Sequence, residues 1–98
     1  MVDPFKALAS NTRRRILNHL SMGPMNAGQI AEQFDMAKPS ISKHLSVLRE
    51  AGLISEEKQG QFVIYSLVED NLTNALYDFL SRFCPEARRI KGRKQTQE

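Results

Sequence analysis

Lys38-Pro39-Ser40-Ile41-Ser42-Lys43-His44-Leu45-Ser46-Val47-Leu48-Arg49-Glu50-Ala51-Gly52-Leu53-Ile54 begins as a helix and ends as a strand. Ile41, Leu45, Val47 and Leu48 recur at helical spacing, which predicts an amphipathic helix from about Lys38 to Ala51. Gly52 then serves as the C′ residue, where a left-handed conformation ends the helix. Leu53-Ile54 opens a short strand. Upstream, Ile30, Ala31 and Phe34 mark a shorter helix from Ala27 to Phe34, and Asp35 to Ala37 leaves a three-residue break. Two helices joined so closely read as a helix-turn-helix. Downstream, the polar run Glu56 to Gln61 contains Gly60, and Phe62 to Leu67 is β-branched and aromatic. This pattern predicts two antiparallel strands with a turn at about Lys58 to Gln61, a hairpin that makes the motif winged.

Further out, Asp3-Pro4 reads as a cap followed by a first helical residue, opening a short helix to about Ala9 with Phe5 and Leu8 on one side. Ser10-Asn11 interrupts it, with Asn11 as the expected cap of a helix from about Thr12 to Met22. Ile16, Leu17 and Leu20 form that helix's apolar stripe, and Gly23-Pro24 stops it. A last helix is predicted from about Asn71 to Phe83, with Pro85 ending it. The expected class is mainly α (α+β), in the order α-α-α-α-β-β-α. Residues 1–85 form the expected domain, and residues 86–98 read as a basic, disordered tail.

The chain has 98 residues, 41% hydrophobic and 26% charged, enough for one small domain. One cysteine excludes an intrachain disulfide. No apolar run approaches a membrane span and the N-terminus shows no signal-peptide core, so a cytoplasmic protein without membrane contact is expected. The net charge of +3 says little until it is located. Residues 1–50 carry 7 basic and 4 acidic side chains, residues 51–85 carry 2 and 5, and residues 86–98 carry 5 and 2. The half that holds the helix-turn-helix is basic, and the half that holds the hairpin is acidic.

Readout of double-stranded DNA needs a rod that fits the major groove and offers short polar and cationic side chains near its N-terminal end. Lys38, Ser40, Ser42, Lys43 and His44 supply them, with Lys58 on the hairpin as a further phosphate contact. A serine- and lysine-bearing helix face is by itself an ordinary solvated face. The conjunction of break, polar helix and hairpin points to DNA. Arg13 and Arg15 are weaker DNA contacts, with ion pairs inside the fold as their alternative role. The chain contains no glycine-rich phosphate loop and no nucleophile paired with a base, so no enzyme and no cofactor are expected.

Leu72, Leu76, Phe79 and Phe83 recur at intervals of 4, 3 and 4, a coiled-coil-like seam. Ile16, Leu20, Ile30, Phe34, Ile41, Leu45 and Leu48 already fill the helix-turn-helix core. Part of the terminal stripe, with Phe5 and Leu8, is therefore expected to pair two copies into a homodimer that reads an inverted repeat.

The segment Lys38 to Ile54 resembles the recognition-helix signature of the ArsR/SmtB family of bacterial repressors. Phe5 to Leu17, with its leucine, small-residue turn and Thr12-Arg13, is similar to that family's opening. Lys58 to Leu67, with Gly60 and Tyr65, is similar to its wing. The likeness spans residues 4–83 in three separated blocks. It implies a homodimeric winged helix-turn-helix repressor, and the small, uninterrupted pattern resembles the family's metal-independent autorepressor branch. Two departures matter. Ala37 stands where the family often places a capping Ser or Thr, a loss of roughly 1 kcal/mol. Glu56 and Glu57 beside Lys58 make the wing repulsive to phosphate.

Many members of that family release DNA on binding metal, at thiol-rich or histidine-carboxylate sites. The corresponding stretches here, Met25 to Ile30 and Asn71 to Phe83, contain neither Cys nor His. No metal site is therefore expected. His19 and His44 are read as isolated side chains. The inducer, a protein or a small molecule, is left unassigned. Cys84 reads as an inert half-buried thiol, with a redox-responsive repressor as the alternative. A winged-helix module for protein interaction is the other alternative, and the basic recognition face argues against it.

Overall fold

The computed structural model describes residues 2–84. Its elements are α1 (Pro4–Leu8), α2 (Asn11–Leu20), β1 (Met25–Asn26), α3 (Ala27–Glu32), α4 (Lys38–Glu50), β2 (Ile54–Gln59), β3 (Phe62–Leu67) and α5 (Glu69–Leu80). They fall into two compact units, one ending at Val68 and one beginning at Glu69. The expected tail at 86–98 and the stop at Pro85 lie outside the described residues.

Local chemistry sets the helix starts. Asp3 caps α1, its side chain accepting from the Phe5 N–H at 2.9 Å, and Pro4 occupies the first helical position. Ser10 caps α2, not Asn11 as expected. Ser10 is extended and its hydroxyl oxygen accepts from the Arg13 N–H at 3.2 Å, while Asn11 is already helical. Asn26 and Gln29 form a reciprocal capping box on α3. Ala37 offers no side-chain bond to α4, as the residue type requires, and Pro39 stands in the first turn.

The ends are equally local. After α3, the Gln33 and Phe34 N–H groups bond three residues back, to Ile30 and Ala31, so the last turn tightens and the helix stops at Glu32. After α4, Gly52 takes φ +78°, its N–H reaches the Arg49 carbonyl, and the Leu53 N–H reaches the Leu48 carbonyl at 3.0 Å. This paired closure is a Schellman motif, and its two leucines are fully buried.

The sheet has three strands in the order β1-β3-β2, not the expected two. Met25 pairs with Tyr65 and Asn26 with Ile64, antiparallel. A two-residue strand is too short to show alternation; it exists because β3 presents an open edge to it. The hairpin turn is also tighter than expected. Lys58 stays in the ladder opposite Val63, Gln59 faces Phe62, and only Gly60 and Gln61 form the loop. Gly60, at φ +63°, holds the first central position, where such a turn calls for positive φ.

The core of the first unit is Ile16, Ile30, Ile41, Leu45, Leu48 and Leu53, all fully buried, with Leu20, Phe34 and Ile54 beside them. Each such side chain contributes roughly 1.5–3 kcal/mol by leaving water. Phe34 is gripped by α2: the Arg15 guanidinium lies 4.7 Å from its ring centroid and the His19 ring meets it edge-on at 5.5 Å. His19 is thus a packing residue. All seven helix-turn-helix core residues expected from the sequence are buried here, and Leu17, Leu53 and Ile54 join them.

In the second unit, α5 starts at Glu69 and ends at Leu80, where about Asn71 to Phe83 was expected, so Phe83 of the expected seam falls in the turn after it; Glu69 and Asp70 stand in its first turn, which favours acidic groups. None of its residues is buried. Leu76, Phe79, Leu80 and Phe83 are 37%, 46%, 42% and 71% exposed. Among the described residues no helix is long and apolar enough to cross a membrane.

Candidate nucleic-acid interface

α4 buries Ile41, Leu45 and Leu48, and those anchors orient everything else on it. With 3.6 residues per turn, Pro39, Lys43, Ser46 and Glu50 fall on the opposite crest, and all four are exposed. Lys38 and Ser42 lie on the flank toward the hairpin. They line a cleft of about 290 Å³ together with Asn26, Gly28, Gln61, Phe62 and Tyr65. Ser40 and His44 lie on the other flank. The sequence reading treated Lys38, Ser40, Ser42, Lys43 and His44 as one polar face, whereas the fold divides them three ways.

His44 is not an open groove contact. It is half-buried, and its Nδ1 stands 3.3 Å from Nη1 of Arg13 on α2. An arginine only donates, so Nδ1 accepts and the imidazole is neutral with its proton on Nε2. Burial, and then the Arg13 charge, hold the His44 pKa below its usual value. Arg13 and Arg15 are also accounted for inside the fold, by carbonyl bonds and ring stacking where ion pairs were the expected alternative. Arg13 Nε donates to the Ala7 carbonyl at 2.7 Å.

On the hairpin, Lys58 is exposed, as a phosphate contact requires. The expected repulsion from Glu56 is moderated: its carboxylate accepts from Arg49 of α4 at 2.9 Å. Opposite Glu56 in the ladder is Tyr65. Burial, and then the Glu56 carboxylate, push the Tyr65 hydroxyl pKa up, so it stays protonated. Glu57 follows on the other face of the strand and is exposed.

Sequence reasoning missed Arg49, Gln61 and Phe62. The last two sit at the hairpin tip, next to a glycine that marks the turn, and could have been found there. Phe62 is 52% exposed, an unusual place for a phenylalanine. Arg49 carried no signal, since its partner is set by how the hairpin folds back.

Among the described residues no group of three His, Cys, Asp or Glu side chains converges as a ligand set. Cys84 is a half-buried free thiol just after α5. The arrangement therefore offers a rod with Lys43 on its crest, Lys38 on its flank and several hydroxyls outward, beside a cleft and a hairpin. That is the equipment for gripping a polyanion and touching base edges.

Residues 10–56 match the model of a family described as bacterial regulatory protein, arsR family. The chain is 44% identical over 86 residues to the transcriptional repressor SdpR of Bacillus subtilis, covering 84% of this chain and 94% of that protein. It is 42% identical over 67 residues to the arsenical resistance operon repressor of Escherichia coli, covering 67% of this chain and 57% of that protein. Among solved structures, an ArsR-like transcriptional regulator from Rhodococcus sp. superposes with a TM-score of 0.72 at 30% identity, covering 96% of this chain and 89% of that one.

Proposed function

This chain belongs to the ArsR family of bacterial regulatory proteins and is a DNA-binding transcriptional regulator, not an enzyme; on that premise we propose that it is a repressor that binds an inverted-repeat operator as a homodimer, without a metal effector. The observation that carries the reading is the exposed side of α4, with Lys43 on its crest and Lys38 and Ser42 on the flank beside the hairpin. Lys43 meets a guanine or a phosphate, and Ser40 and Ser42 meet phosphates or base edges. Lys38 and Lys58 meet phosphates. His44 holds the helix and does not read the groove.

Dimerisation is supported on each unit separately. α1 exposes Phe5, with Leu8 half-buried; α5 exposes Leu76 and Phe79, with Leu72 half-buried, and Phe83 is exposed in the turn that follows it. An inverted repeat calls for a dimer whose two recognition helices stand roughly 34–36 Å apart, one turn of the duplex. Metal independence is supported by donor chemistry, since Met25 to Ile30 and Asn71 to Phe83 supply no thiolate and no imidazole. Repression then ends by loss of the protein, by a covering protein partner or by a small molecule. The protein acts in the cytoplasm, where its DNA lies.

The test is fluorescence anisotropy with a duplex from the chain's own promoter, at several salt concentrations. Specific binding lost when the inverted repeat is scrambled, with log K falling linearly in log salt, is the expected result. Equal binding to any duplex, or none, would sink the reading and favour a protein-interaction module.

A further inference from the structure

Arg13 uses three guanidinium nitrogens on two other helices. Nε donates to the Ala7 carbonyl at 2.7 Å and Nη2 to the Lys6 carbonyl at 3.3 Å, both in α1. Nη1 donates to His44 Nδ1 in α4 at 3.3 Å. Its neighbour Arg14 also closes α1, donating to the Leu8 carbonyl at 2.6 Å. Of these two arginine side chains, Arg13 carries the bond on to the DNA-facing helix.

We propose that Arg13 is the positioning residue of the recognition helix: one guanidinium ties the end of α1 to His44 in the middle of α4, and operator affinity depends on that tie without Arg13 meeting DNA. Apolar burial of Ile41, Leu45 and Leu48 holds α4 down, but burial is non-directional and tolerates small rotations about the helix axis. A hydrogen bond to a half-buried acceptor on the flank does not. It sets which way Lys43 and Ser42 point. The planar fork is needed because the acceptors lie on different helices, and an ammonium cannot hold that geometry. The inference rests on α4 being the DNA-reading helix.

The experiment measures operator affinity by anisotropy against salt, with melting temperature as the check on folding, for Arg13→Gln, Arg13→Lys, Arg14→Gln, His44→Leu, His44→Asn and Lys43→Ala. Arg13→Gln and Arg13→Lys are expected to weaken binding roughly 2- to 30-fold, and His44→Leu similarly. Arg13→Gln combined with His44→Leu is expected to be no weaker than Arg13→Gln alone. His44→Asn, whose amide oxygen replaces Nδ1 as acceptor, keeps wild-type affinity. The salt slope stays unchanged in the Arg13 and His44 variants. A slope reduced by about 1 in Arg13→Gln would make Arg13 a phosphate contact and overturn the inference. Equal loss in Arg14→Gln would reduce Arg13 to a cap of α1, and additive losses at Arg13 and His44 would show that the tie is not used. If Arg13→Gln does not fold, His44→Leu against His44→Asn decides, because both leave the α1 carbonyls bonded. Wild-type binding by Lys43→Ala overturns the underlying reading of α4. Loss in Lys43→Ala with Arg13→Gln unaffected overturns this inference alone.

Discussion

The Arg49 guanidinium, in the last turn of the recognition helix, donates to the Glu56 carboxylate on the first hairpin strand at 2.9 Å. Helix and wing are thus joined by a charged pair as well as by the chain between them. Both side chains are substantially exposed, at 46% and 37%, so the pair contributes little to stability. A double-mutant cycle with Arg49→Ala and Glu56→Ala is expected to give a coupling of about 0.2–1 kcal/mol at low salt, shrinking as salt rises. A larger, salt-insensitive coupling measured by denaturant unfolding would contradict that assignment.

Lys43 stands on the exposed crest of α4 and Ser42 one residue away beside the cleft. Lys43→Ala is expected to lower operator affinity by about 1–3 kcal/mol, and Ser42→Ala to add to it. Neither side chain is buried, so thermal stability should move by less than about 0.5 kcal/mol. A folded double variant that binds as tightly as the wild type would remove both residues from the interface.

Leu76 and Phe79 are exposed on α5, so replacing both with Glu does not empty a core. The wild-type chain is expected to sediment as a dimer at micromolar concentration and the double variant as a monomer, with helical content retained by circular dichroism. A wild-type monomer under those conditions would end the dimer proposal.

His44 has a pKa below its usual value of about 6.5 in the folded chain, from burial first and the Arg13 charge second. The unfolded chain therefore takes up its proton first as the medium is acidified. Stability is expected to be unaffected by this group above about pH 6.5, to fall as pH drops from there through the folded value, and to level off below it. Melting temperatures of wild type and His44→Asn, compared from pH 8 to pH 5, should diverge only on the acid side. Parallel curves would show that His44 is not linked to folding.

Metal response is a matter of available donors. Zn²⁺, Cd²⁺ or arsenite titrated into the protein–operator complex at fixed salt is expected to leave it intact. Dissociation at low micromolar metal, reversed by a chelator, would show a site assembled from other residues. Dissociation by peroxide, abolished in Cys84→Ser, would make the thiol a sensor.

Periodicity within one element was enough to read much of this protein. Ile41, Leu45 and Leu48 mark a helix and its buried side because 3.6 residues per turn leave no other way to cluster them. Gly52 marks its end because the left-handed closure that follows is cheap for glycine alone. Phe62 to Leu67 reads as a strand from its composition, and Ile16, Leu20, Ile30, Phe34, Ile41, Leu45 and Leu48 read as core from their spacing. The three family-like blocks, at Phe5 to Leu17, Lys38 to Ile54 and Lys58 to Leu67, were legible for the same reason: each is contiguous.

Relationships between distant segments were not legible. β1 is two residues long and exists only because Tyr65 and Ile64 lie alongside it. Arg13 is one of three consecutive arginines, and nothing local sets it apart from Arg14 or Arg15. Its bond to His44, 31 positions away, turns a residue that looked like a DNA contact into an internal acceptor. Glu56 reads as repulsive to phosphate in the sequence, whereas in the fold Arg49 lies against it. Local pattern records which side of an element is apolar, because burial needs only that. Hydrogen bonds between side chains depend on distances of a few tenths of an ångström across elements, and only the packed chain sets those.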